Sequence, residues 1–212
     1  MVSVITHHVS RFTFHASRFT HHVSRITFHS DQAMNLPSND ILPQELARLA
    51  VEAFTRDGTT IKPPGDPDGV LATRAGVFVT LRTSDGQLRG CIGTIDPACN
   101  NVAEEVIYNA IGAATRDPRF APVSAPELPE LNYGVDVLSP PESARGPEDL
   151  EPSEYGVIIQ TFDGKHRALL LPRIEGINSV EDQWLAVHSK AGIRPGTPVH
   201  VERFTVTRFG KE

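Results

Sequence analysis

From Pro43 onward, apolar residues recur at helical spacing in three stretches and alternate with polar ones in several others. Leu46, Leu49, Ala50, Ala53 and Phe54 predict a helix that opens at Pro43, behind Asn39 and Asp40, and ends near Asp57-Gly58. Val106, Ile107, Ala110, Ile111 and Ala114 predict a second, with Asn100 or Asn101 as its cap. Val180, Trp184, Val187 and His188 share one face of a third, from about Ser179 to Lys190, with Gly192 as its natural stop. Residues 62–69 hold three prolines and two glycines and read as a loop.

The alternating stretches predict strands. Gly76–Arg82 and Leu88–Ile95 flank Asp85-Gly86, a strong hairpin signal. Leu131–Ser139 is stopped by Pro140-Pro141, and Tyr155–Phe162 and Arg167–Leu171 flank Asp163-Gly164-Lys165. Pro198–Phe209 reads as one last strand. Hairpins outnumber any strand–helix–strand pattern. The expected fold class is therefore α+β, a mostly antiparallel sheet with helices packed on it.

The chain before Met34 follows neither pattern. His7-His8-Val9-Ser10-Arg11-Phe12-Thr13 recurs as Phe14–Thr20, as His21–Thr27 and in the start of a fourth copy at Phe28. The period is seven, without the apolar seam of a coiled coil. Three readings compete: a histidine-rich metal-binding tract, a basic transit peptide, and translated tandem-repeat DNA upstream of a start at Met34. The last is favoured, because ordinary domain sequence begins directly after Met34. Residues 1–33 are thus expected to lie outside the native fold, and residues 39–210 to form the domain.

The net charge of −6 disfavours non-specific nucleic-acid binding. The first 33 residues carry three arginines and one acid, so the remainder is more acidic still. Two cysteines, Cys91 and Cys99, make neither a disulfide framework nor a zinc ligand set, and a reducing, cytoplasmic setting is expected. No apolar run reaches the roughly 18 residues of a membrane span.

The first hairpin carries the candidate chemistry. With Asp85-Gly86 as a two-residue turn, counting places Arg82 opposite Arg89, Leu81 opposite Gly90, Thr80 opposite Cys91, Val79 opposite Ile92 and Phe78 opposite Gly93. Alternation then puts Val77, Val79, Leu81, Leu88 and Ile92 on the core face and Thr80, Arg82, Arg89 and Cys91 on the other. A thiol beside two arginines is expected to ionise easily. Gly90 and Gly93 bracket Cys91, as where a backbone or ligand approaches closely. The competing reading is a small buried cysteine under a helix. Cys99, near a helix start but without such neighbours, reads as packing. A one-residue bulge would swing Cys91 to the other face.

Arg116-Asp117-Pro118-Arg119-Phe120 is either an anion contact on a loop or a helix end tied by an Arg–Asp pair. Gly90-Cys91-Ile92-Gly93 has the spacing of a KH-domain clamp, but it lies in a strand of an acidic chain, and no nucleic-acid partner is expected. His166, His188 and His200 are scattered, so no metal site is expected. There is no P-loop, nucleophile elbow or dinucleotide fingerprint, and no cofactor is expected.

Leu88-Arg89-Gly90-Cys91-Ile92-Gly93-Thr94 resembles the signature heptad of the AMMECR family. Asp117–Phe120, Val137–Pro140, Leu169–Pro172 and Lys190–Ile193 resemble further family stretches in family order, over roughly residues 40–208. The resemblance implies a two-lobe α+β fold with a cleft near the heptad. It also implies kinship with proteins encoded beside a Memo-like protein and a radical S-adenosylmethionine enzyme, the AmmeMemoRadiSam system. It implies no established activity. The residues it carries over are Arg89, Gly90, Cys91, Gly93, Asp117 and Arg119.

Two functions from different classes follow. In one, the domain binds a small substrate or a partner of that system at the cleft, with Arg89, the glycines, Asp117 and Arg119 shaping the contact. In the other, Cys91 is the nucleophile of a thiol-dependent enzyme acting on a small or nucleotide-like substrate. The lack of a nearby general base leans toward binding, although Glu127, Glu130 or His166 could supply one from a distance.

Overall fold

The computed structural model describes residues 41–210. The repeats of residues 1–33, and Asn39 and Asp40 ahead of the first helix, lie outside the described residues. The elements are α1 (Pro43–Asp57), α2 (Gly69–Ala72), β1 (Val77–Thr83), β2 (Leu88–Gly93), α3 (Val102–Thr115), β3 (Leu131–Leu138), β4 (Glu142–Ala144), β5 (Gly156–Thr161), β6 (Arg167–Leu170), α4 (Val180–Ala191), β7 (Val199–Phe204) and β8 (Val206–Gly210). A 3-10 turn, Ala125–Glu130, precedes β3.

The strands form two four-stranded antiparallel sheets, in the orders β2-β1-β3-β8 and β4-β7-β5-β6. The three long helices start and stop where local chemistry directs. Asn101 accepts the Glu104 amide and caps α3; Ser179 accepts the Asp182 amide and caps α4. Gly58 and Gly192, at φ 67° and 66°, close α1 and α4 in the left-handed conformation. The four-residue α2, at the end of the expected loop, has no apolar period that could announce it.

Each sheet buries one face under helices, and this makes two lobes. Val77, Val79, Leu81, Val135 and Val137 of the first sheet pack against Leu46, Ala50 and Val51 of α1 and Val106 and Ala110 of α3. Fully burying a side chain of this kind contributes about 1.5–3 kcal/mol, so this face governs register. Val157, Ile159, Ala168, Leu170 and Val201 of the second sheet pack under Val187 and Ala191 of α4. The opposite faces meet in a smaller cluster, where Leu138, Ile158, Leu169 and Phe204 pack with Phe78 and Ile95.

The sequence pattern misled at two places. Pro198–Phe209 is two strands: β7 runs in the second sheet and β8 in the first, breaking at Thr205. There the Thr205 amide donates to the Ser139 hydroxyl, and the Ser139 amide donates to the Thr205 carbonyl. The chain passes between lobes at this pair, so its apolar alternation continues while the core it serves changes. In the first hairpin, the turn has three residues, Ser84-Asp85-Gly86, with Thr83 bonded to Gln87 and Gly86 at φ 85°. That extra residue shifts the pairing by one. A bulge at Arg89 shifts it back, so that Arg82 lies opposite Leu88, yet Leu81 still faces Gly90 and Thr80 still faces Cys91.

Among the described residues no helix is long and apolar enough to cross a membrane.

Candidate functional site

β2 is the edge of the first sheet, so one row of its backbone groups has no strand partner. The loop after α3 supplies one. The Cys91 amide donates to Asp117 Oδ2 at 2.8 Å. Asp117 is buried and also takes Arg119 Nη2 at 2.7 Å on Oδ2, and Arg119 Nε and backbone N–H at 3.0 and 3.1 Å on Oδ1. Burial alone would raise its pKa. The Arg119 guanidinium and the two amides outweigh this and hold the carboxyl below its ordinary value. Cys91, Asp117 and Arg119 are therefore one assembly. For Asp117 and Arg119, the structure shows the Arg–Asp pair.

Arg89 is aimed elsewhere. The bulge directs its guanidinium to Glu127, with Nε to Oε1 at 2.6 Å and Nη2 to Oε2 at 3.2 Å. Glu127, also bonded by the amide and hydroxyl of Ser124, is held at about 2, chiefly by Arg89. The Phe120 ring lies near both guanidiniums, 5.8 Å from Arg89 and 5.5 Å from Arg119. Arg82 turns back to the Gly86 carbonyl at 3.0 Å.

The thiol itself differs from expectation. Cys91 is half-buried, and the Thr80 hydroxyl lies 3.4 Å from its sulfur. Burial pushes the thiol up; Thr80, Arg119 and Lys190 pull the other way without overcoming it. The easily ionised thiol expected from Arg89 and Arg82 is thus corrected, since neither guanidinium acts on the sulfur. Cys99 is pushed up to about 12 by burial and by Glu105 and Glu104, in keeping with a packing role.

The bracketing glycines have separate reasons. A Cβ on Gly90 would stand 2.2 Å from the Ala113 carbonyl oxygen, so this glycine lets α3 lie directly on β2. A Cβ on Gly93 would stand 2.2 Å from the Phe78 ring, on the Cys91 face. Both are close approaches, and both are to the protein's own atoms.

The distant bases do not reach the thiol. Glu127 is paired with Arg89, Glu130 is exposed, and His166 Nδ1 lies 3.1 Å from the Ala191 carbonyl. Sequence reasoning missed Lys190. Its ammonium, from the last turn of α4, donates to the Leu169 carbonyl at 2.8 Å, and its charge acts on both Cys91 and Arg119. Desolvation, followed by Arg119, lowers its pKa. The signal was its place three residues after Val187, beside an apolar helix face. The second lobe thereby contributes to the first lobe's site. Among the described residues no group of three or more His, Cys, Asp or Glu could hold a metal ion.

The AMMECR1 family model matches residues 44–212. A Thermotoga maritima protein is 48% identical over 161 residues, covering 75% of this chain and 91% of its own. A Clostridium acetobutylicum protein is 43% identical over 166 residues, covering 77% of this chain but only 35% of that longer relative. The crystal structure of an uncharacterized protein from Pyrococcus horikoshii is similar with a TM-score of 0.73 at 34% identity, covering 80% of this chain and 90% of that one. The match over two lobes agrees with the α+β architecture.

Proposed function

The chain belongs to the AMMECR1 family, and from that premise we propose that it is a binding protein whose working surface is the cleft around Cys91, taking a small ligand there. The observation that carries this reading is the bond from the Cys91 amide to Asp117, which in turn holds Arg119. It ties a strand edge, a loop and a cation into one hydrogen-bonded assembly. Pre-organised polar groups of this kind favour recognition, because little entropy is lost when a ligand docks. The unactivated thiol supports binding over nucleophilic catalysis.

The family resemblance extends the proposal to partners: a Memo-like protein and a radical S-adenosylmethionine enzyme would supply or consume what the cleft holds, in the cytoplasm. A thiol enzyme using Cys91 is the second reading. It is favoured by one observation, the Lys190 ammonium acting on the sulfur.

Thermal melting in a panel of small metabolites tests the binding reading, in a Cys99→Ser background with and without N-ethylmaleimide on Cys91. Compounds that raise Tm only when Cys91 is unmodified support the cleft. If every stabilising compound acts equally on both forms, binding is elsewhere and the reading fails.

A further inference from the structure

Hydrogen-bond donors outnumber acceptors around Cys91. Both Asp117 oxygens are occupied, by Arg119 and the Cys91 amide. Both Glu127 oxygens are occupied, by Arg89 and Ser124. The donors are not used up. Arg89 Nη1 is buried without a partner, although its side chain is only 14% exposed. Arg119 spends Nε and Nη2 on Asp117 and leaves Nη1. Lys190 has three N–H groups and gives one to the Leu169 carbonyl.

The charges show the same surplus. Arg89 is paired with Glu127 and Arg119 with Asp117, so each carboxylate is already spent on one arginine. Lys190 alone has no carboxylate among the described residues. A half-buried ammonium with a backbone carbonyl as its hydrogen-bond partner is costly to keep, and the charge of Arg119 adds to that cost. Two contacts fix the arrangement. The Phe120 ring lies within reach of both arginines. The side chain of Leu169, whose carbonyl holds Lys190, packs with Phe78, the residue opposite Gly93.

We propose that the ligand of this cleft carries an oxyanion group, a carboxylate or a phosphate, and that Lys190 from the second lobe and Arg119 from the first hold it beside Cys91. This rests on the cleft reading given above and names its ligand class. An oxyanion brings one or two negative charges and several acceptor lone pairs, which is what the cluster lacks. Because Lys190 stands on the other lobe, the ligand bridges the lobes.

The test uses two alkylating reagents of nearly equal size, anionic iodoacetate and neutral iodoacetamide, on the full-length Cys99→Ser protein. The rate ratio of iodoacetate to iodoacetamide at Cys91 is compared with the same ratio in the urea-unfolded chain. One charge-assisted hydrogen bond predicts a native ratio higher by about tenfold or more. Lys190→Gln should bring the ratio down toward the unfolded value, and Lys190→Arg should keep it. Inorganic phosphate and acetate, added as competitors, should slow iodoacetate selectively, and the one effective at lower concentration identifies the source. The ratio in the Lys190-containing protein needs no cleft variant, so it decides even if Lys190→Gln does not fold. A native ratio at or below the unfolded one overturns the oxyanion inference and leaves the cleft standing. If Cys91 reacts with neither reagent until the protein unfolds, no small molecule reaches it, and the cleft reading falls together with the inference.

Discussion

The backbone N–H of Cys91 donates to the carboxylate of Asp117 at 2.8 Å, across 26 positions of chain. This bond closes the open edge of β2 and sets the loop that carries Arg119. It also makes Asp117 a stabilising group with a defined pH signature.

Asp117→Asn should cost about 1–3 kcal/mol at neutral pH, since it replaces acceptors for four donors with an amide. The figure stays modest because Arg119 is 46% exposed and can be hydrated. The carboxyl's folded pKa lies below its ordinary value. Its contribution is therefore present above the unfolded value of about 4 and is lost as pH falls through that value toward the folded one. Urea unfolding at pH 7 and at successively lower pH should show wild type and variant converging in acid. A gap that persists undiminished at the lowest pH would show that the charge is not the cause.

Glu105 is wholly buried and accepts the Thr94 hydroxyl at 2.6 Å and the amides of Ala98 and Cys99 at 2.9 and 2.8 Å. Glu105→Ala leaves all three donors without it and should cost about 3 kcal/mol or more in denaturant unfolding. Glu105→Gln, which keeps one acceptor, should cost less. Equal losses in both variants would point to packing volume instead.

Gly90→Ala should destabilise by about 2–4 kcal/mol, because the new carbon would meet the Ala113 carbonyl at 2.2 Å and α3 must lift. Gly65→Ala, whose added carbon meets nothing within 4 Å, is the control and should be neutral or slightly stabilising. A tolerated Gly90→Ala, measured by the same unfolding curve, would show that α3 does not lie on β2.

Much of this was legible in the sequence. The three long helices and the core face of β1 follow from periodicity, since Val77, Val79 and Leu81 must share one buried side, and Asn101 and Gly192 mark helix ends by residue type. The pairing of Thr80 with Cys91 came out right because two unseen features cancel: one more residue in the turn and one more in β2 at Arg89. Bulges leave no compositional mark at a position that suits a polar side chain anyway. The sheet change at Thr205 was illegible because alternation records only that a face is buried, not which core buries it. Strand alternation places Arg89 beside the thiol, but the bulge interrupts that alternation and Glu127, 38 positions away, takes the guanidinium in space. Lys190 could be found only once the fold brought the end of α4 onto β6 at Leu169.

Cys91 stands at the centre of the proposed binding surface, with a thiol that burial keeps from ionising easily. Its alkylation by iodoacetamide should be followed against pH in Cys99→Ser. The predicted result is reaction in the native state with an apparent pKa above the ordinary thiol value of about 8.5, because burial outweighs the pull of Thr80, Arg119 and Lys190. A native-state pKa clearly below that value would contradict the account and make Cys91 the nucleophile of an enzyme.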